Sequence, residues 1–181
     1  MPAFVCLIRG INVTGHHKVR MADLRSLLEG LGLEEPRTYI QSGNAVFRAR
    51  GRPRAIADRI VQAFDATFGF APRVLVLPPK AVSDAIASCP FAEEARADPR
   101  SVHLYFIEGR PDSGARESLA SVESGRDRFA LGEGVLYLHA PDGLGRSKLA
   151  QAVERKLRAP ATARNWNTMR AILALLGPPD A

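Results

Sequence analysis

Cysteine is almost missing from this chain: Cys6 and Cys89 are the only two among 181 residues. That excludes a disulfide framework and a thiolate metal cage. No apolar run approaches the roughly 20 residues that a bilayer-spanning helix needs, so no membrane partner is expected. The apolar opening Ala3–Ile8 is short, has no basic leader and runs straight into Arg9-Gly10, which is not the pattern of an export signal. Catalytic signatures are absent too. There is no Ser-centred elbow, no HExxH metal motif and no Walker A order of glycine, lysine and hydroxyl. Cys6 lies within an apolar run and reads as a buried thiol rather than a nucleophile. His16 and His17 are adjacent, point in different directions and have no Cys or carboxylate at ligand spacing, so they read as a solvated loop pair. The expectation is a cytoplasmic protein with no metal and no cofactor, in which no general base or nucleophile declares a reaction.

What is present is globular. Hydrophobic residues make up 46% and charged residues 24%, enough for one compact domain or two small halves. The formal net charge is +6, with lysine only at Lys18, Lys80, Lys148 and Lys156, so arginine carries most of it. Residues 1–78 hold eleven Lys/Arg against six Asp/Glu, and residues 79–181 hold fourteen against thirteen. The surplus therefore lies in the first half. It favours a polyanionic partner, although an arginine- and alanine-rich chain is also what a GC-rich genome produces.

The pattern of elements repeats. Ala3–Ile8 predicts a buried strand, and Met21, Leu24, Leu27, Leu28 and Leu31 recur at helical spacing, with Gly30 and Gly32 as stop signals. Arg37–Ile40 and Ala45–Arg48 flank the turn Gln41-Ser-Gly-Asn44 and predict a hairpin. Pro53 fits a first helical position, with Ile56, Ile60, Phe64 and Phe68 following at i+4 steps, and Arg73–Leu77 closes the set as a strand. The second half gives the same order: Val102–Ile107, a weak helix at Asp112–Val122, a hairpin of Arg126–Leu131 and Val135–Ala140, a helix marked by Leu149, Val153 and Leu157, and an extended piece at Ala161–Arg164. A last helix carries Trp166, Met169, Ile172, Leu173 and Leu176, with Trp166 read as core. The predicted fold class is α+β: two ferredoxin-like βαββαβ halves packed together, with an extra C-terminal helix. Domain bounds are 1–78 for the first half, 79–100 for an acidic, Pro-punctuated linker with one short helix near Val82–Ile86, and 101–181 for the second half with the last helix. The tail Pro178–Ala181 reads as a frayed end.

This topology decides which loops meet. The first two strands of such a unit are parallel and joined by a right-handed crossover, so both end at one edge. The loop Arg9–Lys18 and the turn Gln41–Asn44 must then be neighbours. Arg9, Asn12, Lys18, Gln41, Ser42, Gly43 and Asn44 gather there as candidate binding residues. A guanidinium fork and an ammonium suit an anion, and the amides and hydroxyl give directional hydrogen bonds. Ser42–Asn44 also has the composition of a plain tight turn, and Asn12 that of a loop cap. Continuous apolar strands at Ala3–Ile8 and Val74–Leu77 predict sheets buried on both faces, which argues against an open sheet stacking RNA bases.

In the second half, Gly143-Leu-Gly-Arg-Ser-Lys148 leads into a helix and could cradle phosphate through backbone amides, or Ser147 could simply cap that helix. Arg164-Asn-Trp-Asn-Thr168 opens the last helix in a similar way. Ser147, Lys148, Arg164 and Asn165 therefore complete the candidate list as a second wall for a small anionic or phosphorylated ligand. Arg48-Ala-Arg-Gly-Arg-Pro-Arg54 could instead grip nucleic-acid phosphates nonspecifically. A dimeric interaction module driven by apolar sheet faces is the third reading, so monomer and homodimer both stay open.

Five motifs together resemble an uncharacterised bacterial family, domain of unknown function 1697. They are Arg9-Gly-Ile-Asn-Val13, Lys18-Val-Arg-Met-Ala22, Arg37-Thr-Tyr-Ile-Gln-Ser-Gly-Asn44, Gly145-Arg-Ser-Lys148 and Arg164-Asn-Trp-Asn-Thr168. The resemblance runs from residue 4 to about 170. It implies a two-part α/β fold with ferredoxin-like halves and no established activity, substrate or cofactor. Thr14, His16 and His17 depart from the glycine- and lysine-rich text usual after Asn12, lowering the fixed positive charge of that loop and making any anion grip pH-sensitive through histidine.

Overall fold

Val5, Cys6, Leu7 and Ile8 alternate between the two faces of a strand, and all four are fully buried. That strand, β1 (Ala3–Arg9), is a central strand of its sheet in a computed structural model that describes residues 1–13 and 15–177. The elements of the first unit continue as α1 (Met21–Gly30), β2 (Glu34–Tyr39), β3 (Asn44–Arg48), α2 (Pro53–Phe68) and β4 (Arg73–Leu77). Its four strands lie in the order β2-β3-β1-β4, with every neighbouring pair antiparallel. This is the ferredoxin-like arrangement that the sequence predicts.

Helices α1 and α2 cover one face. Their Leu24, Leu28, Ile56, Ile60 and Phe64 join Phe4, Cys6, Ile8 and Phe47 in one apolar core. Each fully buried Leu, Ile or Phe stabilises the unit by roughly 1.5–3 kcal/mol relative to exposure. Pro53 starts α2, and Gly69 ends it in the left-handed region, at φ +75°. β2 begins earlier than the sequence pattern suggests. It takes in Pro36 and accommodates it with a register shift between Glu34 and Arg37, as an edge strand can.

The linker holds more structure than its composition suggests. α3 (Pro79–Ala87) begins at Pro79, earlier than the short helix expected near Val82–Ile86, and α4 (Ala92–Ala97) follows as a second helix. Glu93 and Glu94 in the first turn of α4 and Arg96 in its last complement the helix dipole.

The second unit repeats the first: β5 (Val102–Ile107), α5 (Ala115–Ala120), β6 (Arg128–Leu131), β7 (Val135–His139), a 3₁₀ turn at Leu144–Arg146, α6 (Lys148–Leu157) and β8 (Ala161–Asn165). Its strand order is β6-β7-β5-β8, again antiparallel throughout. All six residues of β5 are buried. α7 (Trp166–Leu175) is the extra C-terminal helix, with Trp166, Met169 and Ile172 buried as the sequence predicts. By compactness one unit comprises Met1–Asp84 with the chain from Arg170 onward, and the other Ala85–Met169. Pro178–Ala181 and Thr14 lie outside the described residues.

Candidate functional site

Register fixes which ends of the first sheet carry which groups. Arg9, the last residue of β1, faces Arg73 at the start of β4, whereas Ala3 at the other end faces Arg48. A seven-residue strand spans roughly 20 Å. The Arg48–Arg54 segment is therefore a strand's length away from the loop after β1. Within that segment Arg48 donates to the Met1 carbonyl and Arg54 pairs with Asp58.

The β1–α1 loop and the β2–β3 turn do meet. The Ile8 amide donates to the Gly43 carbonyl at 2.7 Å. Gly43 has φ +79°, and a Cβ built there would stand 2.5 Å from the Ile8 carbonyl oxygen. Only glycine fits so close a crossing of two backbones. Asn44, fully buried, donates through Nδ2 to the Tyr39 carbonyl at 3.2 Å and to Ser42 Oγ at 2.9 Å. Gly43 and Asn44 thus build the turn, and Ser42 joins them while remaining exposed.

Asn12 is the loop's fastener. At φ +55° it accepts from the Val19 amide at 2.8 Å and donates to the Val19 carbonyl at 2.9 Å and the Gln41 carbonyl at 2.8 Å. Both Nδ2 protons are engaged, so its amide positions Lys18-Val19 against the turn. His17 forms a second fastening that the solvated-pair reading missed. Its ring stacks on Phe70 with centroids 4.1 Å apart and planes 10° apart, and Nδ1 lies 3.1 Å from the Gly10 carbonyl. Sequence spacing gives no sign of this contact because Phe70 arrives from beyond α2.

These fastenings leave an open groove of about 640 Å³, lined among others by Asn12, Lys18, Arg20, Met21, Asp23 and Gln41. The first turn of α1 borders it. Arg20 occupies the cap position, where Ser, Thr, Asp or Asn would normally accept from that turn, and its side chain makes no capping bond. Helix geometry leaves the amides of Met21, Ala22 and Asp23 without intrahelical partners. Arg20 instead donates twice to the Asp23 carboxylate, at 2.8 and 2.9 Å. This hydrogen bond holds the Asp23 carboxyl below its ordinary range, although both side chains are exposed and such a pair adds little stability. Neither Arg20 nor Asp23 was among the sequence candidates. The signal was available as the missing cap residue before a clear helix.

Of the sequence candidates, Asn12, Lys18 and Gln41 line the groove together, and Arg9 stands exposed at the adjoining strand end. A second groove of about 690 Å³ lies at the corner of α1 and β2. Its lining includes Glu29, Glu34 and Glu35 against Arg37, which is the wrong sign for an anion.

Each candidate in the second unit has a partner close by. Ser147 is buried and caps α6, its Oγ accepting from the Ala150 amide at 2.9 Å. Lys148 pairs with Glu123 at 3.3 Å, Arg164 donates to the Ala163 carbonyl at 2.8 Å, and Asn165 accepts from the Thr168 amide at 2.8 Å. Cys89 is buried, which pushes its thiol up and leaves it a poor nucleophile. Beside it the Tyr137 phenol donates to the Ala85 carbonyl at 2.8 Å and is pushed up to about 12 by burial.

Residues 1–137 match the family described as "protein of unknown function (DUF1697)". The chain belongs to the DUF1697 family. The match ends within β7, so the motifs at Gly145–Lys148 and Arg164–Thr168 lie beyond it. Among solved structures, the conserved bacterial protein SP0830 from Streptococcus pneumoniae is similar to this DUF1697 chain over 96% of the chain and 98% of its own, with a TM-score of 0.76 and 24% identity. At that identity the likeness shows the fold. No curated protein sequence matches the chain.

Proposed function

We propose that this protein binds a small anionic or phosphorylated ligand at the β1–α1 loop and β2–β3 turn. The observation that carries this reading is the start of α1, without a capping side chain and bordering a groove that Lys18 and Arg20 line. Unpaired amides and the helix dipole attract negative charge, and Lys18 adds a point charge that can move to meet it. Asn12 and Gln41 fix the groove's wall through the bond that joins loop to turn. Arg9, exposed at the adjoining strand end, supplies a guanidinium within the same region. The donors suit binding, and no reaction is assigned to them.

Support for the Arg48–Arg54 segment as a nucleic-acid surface is thinner. Arg48 and Arg54 are engaged within the chain, and α2 places Asp58 among the arginines. Thermal shift with inorganic phosphate, pyrophosphate and sugar phosphates tests the proposal, with Lys18→Ala as the control. A ligand at a hundredfold excess over its dissociation constant stabilises the native state by about 2.7 kcal/mol. A Tm that stays unmoved by every anion, or one that rises equally in Lys18→Ala, refutes it.

A further inference from the structure

Arg128 is the hub of a small clasp in the second unit. It stands opposite His139 across the β6–β7 pair, so the two side chains share one face of the sheet. Its guanidinium lies over the Phe91 ring, with Cζ 5.1 Å from the centroid, and pairs with the Glu94 carboxylate. Nη2 also lies 3.4 Å from His139 Nδ1, and the rings of His139 and Phe91 are 5.9 Å apart. Phe91 and Glu94 belong to the start of α4, whereas Arg128 and His139 belong to the sheet. α4 has six residues, too few to hold a helix unaided, so its place depends on what fastens it. Phe91 and Ala95 are buried anchors, and the clasp is a polar fastening.

A guanidinium has donors and no acceptor. The contact with His139 therefore needs a lone pair on Nδ1, which makes the imidazole neutral with its proton on Nε2. A second proton turns Nδ1 into a donor and sets two cations 3.4 Å apart, with one carboxylate to share. The Glu94 carboxyl is held below its ordinary range, first by its own amide and next by Arg128, so it stays ionised while an imidazole takes up its proton. Around His139, β6 supplies Arg128, α4 supplies Glu94, and β5 sets apolar Val102 opposite it. Cys89, before α4, and Tyr137, two residues back on β7, are both pushed up by burial and stay uncharged in acid. Asp142 is paired with Arg126, which Asp127 also attracts, and Glu93 of α4 is paired with Arg96.

We propose that His139 is a proton-operated release for α4: neutral, it keeps Arg128 seated on Phe91 and Glu94, and protonated, it takes the Glu94 carboxylate and expels the guanidinium. The clasp thus has two arrangements, and acid favours the one in which α4 is held by its apolar anchors alone. All four residues belong to the unit Ala85–Met169, so the device is independent of the anion-binding reading.

The test is a titration of the intact labelled protein from about pH 8 to about pH 5, the range in which imidazole changes charge, followed by nuclear magnetic resonance. The Arg128 Nε signal and the Phe91 ring signals are expected to move with the same midpoint as the His139 ring. Hydrogen-exchange protection of the Ala95 and Asp98 amides, which bond to the Phe91 and Glu94 carbonyls, is expected to fall about tenfold at the acid end relative to amides of β5. That is the scale of losing one exposed ion pair and one cation–π contact. His139→Gln keeps an acceptor for Arg128 and takes no proton, so its Arg128 signal and α4 protection are expected to stay level across the range. Arg128→Met is expected to show the lowered α4 protection already at the alkaline end. An Arg128 signal or α4 protection that ignores the His139 titration, or a response that persists in His139→Gln, overturns the proposal.

Discussion

Replacing Gly43 with alanine separates two effects that the structure predicts will add. The first is conformational: φ is +79°, where a Cβ is disfavoured by about 1–2 kcal/mol. The second is steric. The new methyl would lie 2.5 Å from the Ile8 carbonyl oxygen, 3.0 Å from Ile8 Cβ and 3.1 Å from Ile11 Cδ1. Two of these neighbours are atoms of Ile8, which β1 pairs with Val74 of β4, so backbone must move and the 2.7 Å bond from the Ile8 amide to Gly43 lengthens. Displacing a packed backbone adds about 1–3 kcal/mol, giving a total of about 2–5 kcal/mol. For a chain of this size that lowers Tm by roughly 5–15 °C. Gly10→Ala is the matched control. Its φ is +85°, with no atom within 4 Å of the place a methyl would take, so only the conformational part applies. Urea unfolding of both variants, monitored by circular dichroism, gives the comparison. If Gly43→Ala costs no more than Gly10→Ala, the close crossing of loop and turn that frames the site is wrong.

Asn12→Ala removes three side-chain hydrogen bonds and places alanine at φ +55°, so a loss of about 2–4 kcal/mol is expected in urea titration, with faster hydrogen exchange at the Val19 amide. Tyr137 has a phenol raised to about 12 in the folded state against about 10 when unfolded, so its stabilisation is whole below pH 10 and disappears as pH rises through 12. Melting temperatures between pH 9 and pH 12 are expected to fall less steeply in Tyr137→Phe than in the natural chain. Ser147→Ala loses the α6 cap and is expected to cost about 1 kcal/mol, while leaving any phosphate-dependent shift of Tm unchanged.

The parts of this fold that could be read from sequence are those fixed by local periodicity. Ile56, Ile60 and Phe64 at i+4 steps mark the buried face of α2, and the unbroken apolar run in β1 foretells burial on both faces. Crossover handedness then brings the Arg9–Lys18 loop to the Gln41–Asn44 turn, and the bond from Asn12 to Gln41 shows them meeting. What escaped depends on contacts or on exceptions to propensity. α4 was hidden because Pro90 and the acidic residues read as a linker, although Ala92–Ala97 is a good helix former once the preceding turn is set. The strand pattern at Arg37–Ile40 leaves out Pro36, which only an edge position with its irregular register admits to β2. The stack of His17 on Phe70 joins residues that no local pattern links. Arg20 and Asp23 entered the groove because a helix began without its usual cap, an absence that periodicity does not weigh.

The most direct measurement is a titration of ¹⁵N-labelled protein with inorganic phosphate, following every backbone amide. Saturable shifts are expected, concentrated at Lys18, Met21, Ala22, Asp23 and Gln41, sharing one dissociation constant and weakened by Lys18→Ala. Shifts that never saturate, or that gather at the start of α6 while the α1 amides stay still, contradict an anion site at the start of α1.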